Sequence, residues 1–128
     1  MQQLDVSALF KLGLVHHQHG ELLKAKSIYE QVLIKNPRHF DALNLSGAIA
    51  IQSKNSSLAV EYFEKAIAIN PGNWVAYSNL GVALHDLKRF KEALESYSRA
   101  IANNPGYFDA HYNSGLALQE LRRLDEAI

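Results

Sequence analysis

The sequence predicts an all-α solenoid of stacked helical hairpins, and three observations carry that prediction. The chain's prolines, Pro37, Pro71 and Pro105, recur at a step of 34 residues, and each follows an asparagine. The same step relates Gly13, Gly47, Gly81 and Gly115, and also Ala25, Ala59, Ala93 and Ala127. Within one period, apolar residues recur at intervals of three and four: Tyr77, Leu80 and Leu84, then Phe90, Ala93, Leu94, Tyr97, Ala100 and Ile101. That spacing is helical. A fixed period of this size marks a repeat architecture in which each unit buries its apolar face only against its neighbours.

The elements follow in order. A short leader, residues 1–5, precedes repeats at 6–39, 40–73 and 74–107 and a partial fourth at 108–128. Each period holds a helix A of ~14 residues, roughly 21 Å long, and a helix B that is similar or slightly shorter. The segments His19-Gly20-Glu21 in the first period and Lys88-Arg89-Phe90 in the third interrupt the apolar pattern and separate the two helices. The Asn-Pro pair ends helix B, because the residue before proline is pushed out of the α region. Glycine at the eighth place and alanine at the twentieth are small where two helix backbones must approach. The aromatic at the twenty-fourth place, Tyr29, Phe63 or Tyr97, fills the space beside them. In the second repeat, Ser56 stands where helix B should start its apolar face, so packing there is expected to differ. The fourth repeat stops at Ile128 just as its helix B begins with Asp125-Glu126-Ala127.

His16, His17 and His19 crowd into the end of the first helix A. A metal site needs three or four ligands converging on one point. Only His16 and His19 share a helix face, and no HExxH motif supplies a third ligand. The cluster therefore reads as a helix C-terminus, with Gly20 as its left-handed terminating residue. Lys54, Lys88 and Arg122 occupy the place of Gly20 in the other periods, which suits positive charge near helix carbonyl ends.

Thirteen basic residues balance thirteen acidic ones, so no global field favours nucleic acid or an anionic membrane. Without cysteine there is neither a disulfide framework nor thiol chemistry. The amino terminus has no export signal, and nowhere do about 18 apolar residues run together. No phosphate-binding loop, GxSxG or reasoned carboxylate pair appears, so no catalysis, cofactor or metal is expected. Glu61, Glu64, Lys65, Glu92, Glu95 and Arg99 have the spacing of a solvated outer face on helices B.

The segments Y-S-N-L-G at 77–81, A-L-E-S-Y at 93–97 and N-P at 104–105 resemble the tetratricopeptide repeat family. Ser46 and Ser114 depart from its usual leucine before glycine. The resemblance, which covers residues 6–128, implies a right-handed superhelix whose helices A line a concave wall. Ligands in the family contact places 2, 5, 6, 9, 12 and 13 of helix A. Carried across, the candidate groove residues are Phe10, Leu14 and His17, then Asn44, Ala48 and Ile51, then Asn79, Val82 and His85, and finally Asn113, Leu116 and Gln119. Place 9 forms an apolar strip of Leu14, Ala48, Val82 and Leu116, flanked by carboxamides that can serve an extended peptide backbone.

Some members of the family clamp a partner's terminal carboxylate with lysines and an arginine; the matching places here are Phe10, Leu14, Leu45, Val75 and Asn79, without a cation. One repeat later they are Asn44, Ala48, Asn79, Asp109 and Asn113, again without one. In the repeat arm of O-GlcNAc transferases, asparagines at place 6 form a ladder, which Asn79 and Asn113 match and Lys11 and Leu45 do not. The expected function is a non-catalytic scaffold for a peptide or protein partner, the alternative being the substrate-recruiting arm of a larger glycosyltransferase. The unfinished fourth repeat leads to the expectation of a fragment of a longer array that self-associates through its open end.

Overall fold

Seven helices carry most of residues 4–127, the part of the chain that the computed structural model describes. They are α1 (Val6–Gln18), α2 (Leu22–Lys35), α3 (Phe40–Gln52), α4 (Ser56–Ile69), α5 (Trp74–Asp86), α6 (Phe90–Asn103) and α7 (Phe108–Glu126). Among the described residues there is no strand. Residues 1–3 of the leader and Ile128 lie outside this range. Odd-numbered helices are helices A and even-numbered ones helices B. In each complete repeat helix A has 13 residues and helix B 14, so B is the longer by one rather than the shorter.

In the three complete repeats helix A starts where a side chain can satisfy an amide that has no partner within the helix, whereas α7 has no such cap at Tyr107. Asp5 Oδ1 accepts from Ala8 N at 2.8 Å, His39 Nδ1 from Ala42 N at 3.1 Å, and Asn73 Oδ1 from Ala76 N at 2.9 Å. Helix A then ends in a reciprocal backbone motif. In the first repeat, Glu21 N donates to His16 O at 2.9 Å and Gly20 N to His17 O at 3.0 Å, which is the Schellman arrangement. It repeats at Asn55 N to Ala50 O (2.8 Å) and at Arg89 N to Leu84 O (2.9 Å). The motif needs a left-handed residue, and Gly20 supplies it with φ +75°. Lys54 and Lys88 hold the same conformation at φ 64° and 61°. Backbone geometry therefore sets the demand at this place, and the lysine charge comes second. Helices B end as expected: Asn36, Asn70 and Asn104, each before proline, have φ between −133° and −145°.

Packing inside each hairpin rests on the glycine notch. An added Cβ at Gly13 would lie 2.6 Å from Tyr29 Cε1, and one at Gly47 would lie 2.6 Å from Phe63 Cε1. At Gly81 it would run into the Tyr97 ring in the same way. The three rings are the largest fully buried side chains among the described residues. Ala25, Ala59 and Ala93 are buried beside them. Between repeats, α2 packs on α3, α4 on α5 and α6 on α7. Ala42, Ala76 and Ala110 are fully buried at place 3, with Ile49, Ala83 and Ala117 buried at place 10. Apart from Ile49 these are alanines that recur with the same step, and the sequence alone assigned them no role. They let each hairpin close on the one before it. Ser56 opens α4, and its hydroxyl donates to Asp86 Oδ2 at 3.3 Å.

The fourth repeat differs from the expectation. A turn at Arg122 and a new helix from Asp125 were predicted, but α7 runs unbroken from Phe108 to Glu126 over 19 residues. In the earlier repeats the turn is held by an aromatic ring on the glycine of helix A. In the fourth repeat a Cβ at Gly115 would meet nothing within 4 Å. With no packing to hold the turn, the strong helix formers of Glu-Leu-Arg-Arg-Leu continue the helix.

Two predictions follow from these contacts. Gly81→Ala and Gly115→Ala change the same place with opposite results in urea unfolding. The first loses about 1–3 kcal/mol through overpacking against Tyr97. The second is neutral or gains up to about 1 kcal/mol, the helix-propensity difference. Equal effects at the two sites would show that the notch does not govern packing. Lys88→Gly removes the left-handed strain of a residue with a Cβ, and stabilises by about 1 kcal/mol, read as a higher urea midpoint with an unchanged slope.

Candidate functional site

The stacking of hairpins sets helices A side by side, with α3 against α5 and α5 against α7. Side chains at places 6, 9 and 12 lie about one turn apart along each of these helices. Between α5 and α7 they enclose a cleft of ≈ 180 Å³ lined by Val82, His85, Asp86, Tyr97, Asn113 and Leu116. Four of these are sequence-predicted: Val82 and His85 from the third repeat, Asn113 and Leu116 from the fourth. Val82 is half-buried against the core, and Leu116 is 37 % exposed, so the floor is apolar but reachable. The His85 ring stands edge-on to Phe90 with centroids 5.0 Å apart, which fixes its orientation.

The remaining candidates do not share that cleft. Asn79 is half-buried on α5, one turn before Val82, and Gln119 is exposed on α7. On α3, Ala48 is half-buried and Ile51 packs against the core. On α1, Leu14 is half-buried. Place 5 belongs largely to the seam between helices. The Phe10 ring packs 4.7 Å from the His39 ring and 5.9 Å from that of Tyr29. Asn44 Oδ1 is buried without a hydrogen-bond partner, so its oxygen is not presented to a peptide in this conformation. Ser78, also at place 5, is buried beside Tyr107.

The sequence reading missed the tyrosine hydroxyls. Tyr29 OH lies 3.1 Å from His17 Nδ1, and Tyr97 lines the cleft with His85 and Asp86. Burial pushes the Tyr29 phenol up to about 12, and burial followed by the Asp86 charge raises that of Tyr97. Both therefore stay neutral and can donate from the base of the groove at physiological pH. A signal for this pairing existed. Tyrosine at place 24 accompanies histidine at place 12 (His17 with Tyr29, His85 with Tyr97), whereas Phe63 accompanies Ile51.

The histidines of the first turn have separate local partners. His16 Nδ1 lies 3.1 Å from Glu21 Oε1, and His19 Nδ1 lies 2.7 Å from Val15 O. With His17 directed to Tyr29, the three rings do not converge. The Glu21 carboxyl is held below the usual range, first by its hydrogen bond with His16 and then by Lys24. Among the described residues, no group of three His, Cys, Asp or Glu side chains could hold a metal ion. Among them, too, no helix is long and apolar enough to cross a membrane.

Comparison with solved structures gives the same architecture. The first tetratricopeptide repeat domain of Spaghetti (RPAP3), bound to the HSP90 peptide SRMEEVD, superposes with a TM-score of 0.88 at 22 % identity, covering 91 % of this chain and 93 % of that one. The Sgt2 domain from Aspergillus fumigatus gives 0.87 at 24 % identity, over 94 % of this chain and 82 % of that one. MamA gives 0.89 at 25 % identity, over 96 % and 67 %. Among curated proteins, no sequence matches. Models described as tetratricopeptide repeat match residues 10–74, 74–107 and 96–128. With the 34-residue step, the glycine notches and these matches together, the chain belongs to the tetratricopeptide repeat family.

Proposed function

We propose that the protein is a non-catalytic interaction scaffold whose helices A hold an extended peptide or protein segment. The observation that carries this reading is the cleft between α5 and α7, where Val82, His85, Asn113 and Leu116 meet. Its apolar floor takes a side chain, the amide of Asn113 serves a peptide backbone in both directions, and the Tyr97 hydroxyl adds a neutral donor. Asn79, Leu14, Ala48 and Ile51 extend the path along the neighbouring helices.

Charge decides which segment fits. Across the six groove places of the four repeats, the charged residues are Lys11 against Asp41, Asp86, Asp109 and Glu120, so acids outnumber bases. The peptide bound by the Spaghetti domain ends in Glu-Glu-Val-Asp, an acidic tail. Such a tail meets no clamp of cations here, and Asp86 repels it from the cleft. A neutral or basic segment with an aliphatic anchor is the better match. The match of Asn79 and Asn113 to an asparagine ladder supports a second reading, the recruiting arm of a glycosyltransferase. A groove that takes glycosyl-acceptor peptides would favour it.

Selection from a displayed library of random peptides tests the groove. The recovered peptides carry few acids, and Asn79→Ala with Asn113→Ala weakens them about 5- to 100-fold while the melting temperature stays nearly constant. Unchanged affinity, or recovery of acid-rich tails, would refute the assignment.

The outer side of α7 is the second candidate for association. Phe108 and Tyr112 stack there with centroids 6.0 Å apart and are 72 % and 58 % exposed, and Leu118 and Leu124 are exposed further along the same helix. This chain self-associates through that surface under the present reading. Sedimentation velocity then shows a concentration-dependent dimer that Tyr112→Glu with Leu118→Glu converts to monomer. A monomer at all concentrations would remove the idea.

A further inference from the structure

The second repeat carries a pocket of its own, on the side of helices B and apart from the groove. Its floor includes places 7 and 11 of helix A. In the third repeat these are Leu80 and Leu84, and they floor an open depression rimmed by Glu64, Glu92 and Glu95. In the second repeat they are Ser46 and Ala50, one turn apart on the same face of α3. The pocket there, among α2, α3 and α4, holds ≈ 240 Å³ against ≈ 270 Å³ for the depression over the leucines, and is the more enclosed of the two. The pocket is lined by Ser53, Asn55 and Leu58, on either side of Ser56, and by Ser46 on the facing helix, while the Ser56 hydroxyl is bonded to Asp86.

The lining is graded from floor to rim. Ile49 and Ala50 are buried, and Leu58 is half-buried, giving an aliphatic wall. Ser46 is 4 % exposed, and its Oγ has no hydrogen-bond partner in the protein. An unpaired hydroxyl in such a place costs free energy that a bound acceptor recovers. Lys26 stands half-buried at the edge and forms no ion pair among the described residues. The remaining polar groups are also donors. Asn55 spends its Oδ1 on Leu58 N at 3.3 Å, leaving its NH2, and Ser53 adds a hydroxyl. Tyr62 stays protonated because burial, then the charges of Glu30 and Glu61, raise its phenol. No carboxylate lines the pocket.

A donor-rich, singly cationic pocket with an aliphatic wall and one buried hydroxyl specifies its ligand. We propose that it binds a short aliphatic carboxylate that carries one keto or hydroxyl oxygen remote from the carboxyl group. The carboxylate meets Lys26, Ser53 and Asn55 at the rim, the chain lies on Ile49, Ala50 and Leu58, and the remote oxygen accepts from Ser46. The size fits: an apolar cavity of about 150 Å³ already admits benzene.

Levulinate (4-oxopentanoate) is the probe, with 4-methylpentanoate and 4-oxopentanamide as its comparators. The first comparator replaces the keto oxygen by a methyl group, and the second removes the charge. Amide shifts at Ala50, Ser53 and Leu58 in 1H–15N spectra report binding. Levulinate saturates them with a Kd below about 5 mM, and each comparator is weaker by about fivefold or more. Ser46→Leu removes the hydroxyl and crowds the floor with an aliphatic side chain, abolishes the shifts and leaves the melting temperature equal or higher. Ser46→Ala, a smaller change, keeps the cavity but equalises levulinate and 4-methylpentanoate. Lys26→Met removes the preference for levulinate over its amide. Absence of saturable shifts at 20 mM, shifts that persist in Ser46→Leu, or equal wild-type binding of levulinate and 4-methylpentanoate each overturn the proposal. The first of these would mean a pocket filled by water alone.

Discussion

A ring resting on bare backbone is the contact on which the molecule depends. Tyr29, Phe63 and Tyr97 each lie against a glycine of the facing helix, at a distance that leaves no room for a Cβ. The missing methyl group fixes how closely the two helices of a hairpin approach, and the ring fixes where along their length they do so. Everything further out inherits that geometry. The alanines at place 3 close one hairpin on the last, and only then do helices A stand side by side. At Gly115 nothing lies within 4 Å of the Cβ position, and α7 continues through the place where a turn was expected.

The same ring links core to groove. A phenylalanine at place 24 would suffice for packing, as Phe63 demonstrates. Tyrosine adds a hydroxyl that emerges at place 12 of the facing helix, where the first and third repeats have histidine and the second has isoleucine. Burial holds the Tyr29 and Tyr97 phenols neutral, so the polarity that reaches the groove is that of a fixed donor and not of a titrating charge. The side chain that stabilises the hairpin also sets, repeat by repeat, whether the base of the groove is polar or dry.

The fold was legible because its determinants are periodic. Pro37, Pro71 and Pro105 with the glycines and alanines state the period, and helical spacing states the element, so no long-range information was needed. The candidate site was legible in part. Places 9 and 12 came from the family resemblance, and Val82, His85 and Leu116 line one cleft. Place 5 could not be settled that way, because Phe10, Asn44 and Ser78 sit where the angle between hairpins decides between seam and groove. That angle is a property of several side chains at once. The pocket behind Ser46 was out of reach for a related reason. A sequence shows that Ser46 and Ala50 are small, but not whether Lys26, Leu58 and Tyr62 collapse into the space they leave.

These limits also say where this architecture can vary. A hairpin that stacks here needs small residues at places 3, 8 and 20, an aromatic at 24, and the buried Val32, Ala66 and Ala100 at place 27. Place 7 is not among these demands: it holds Leu12, Ser46, Leu80 and Ser114, and Leu12 is 39 % exposed. A leucine can leave such a place without unlocking the hairpin, because the notch lies on the adjacent residue and is held by a ring from the other helix. The cost is local, an unpaired hydroxyl and an open volume, and it falls on one repeat. Nearest-neighbour stability confines that cost and leaves the other hairpins intact. A repeat protein can therefore change the chemistry of one repeat's outer side while its groove and its stacking remain as they were.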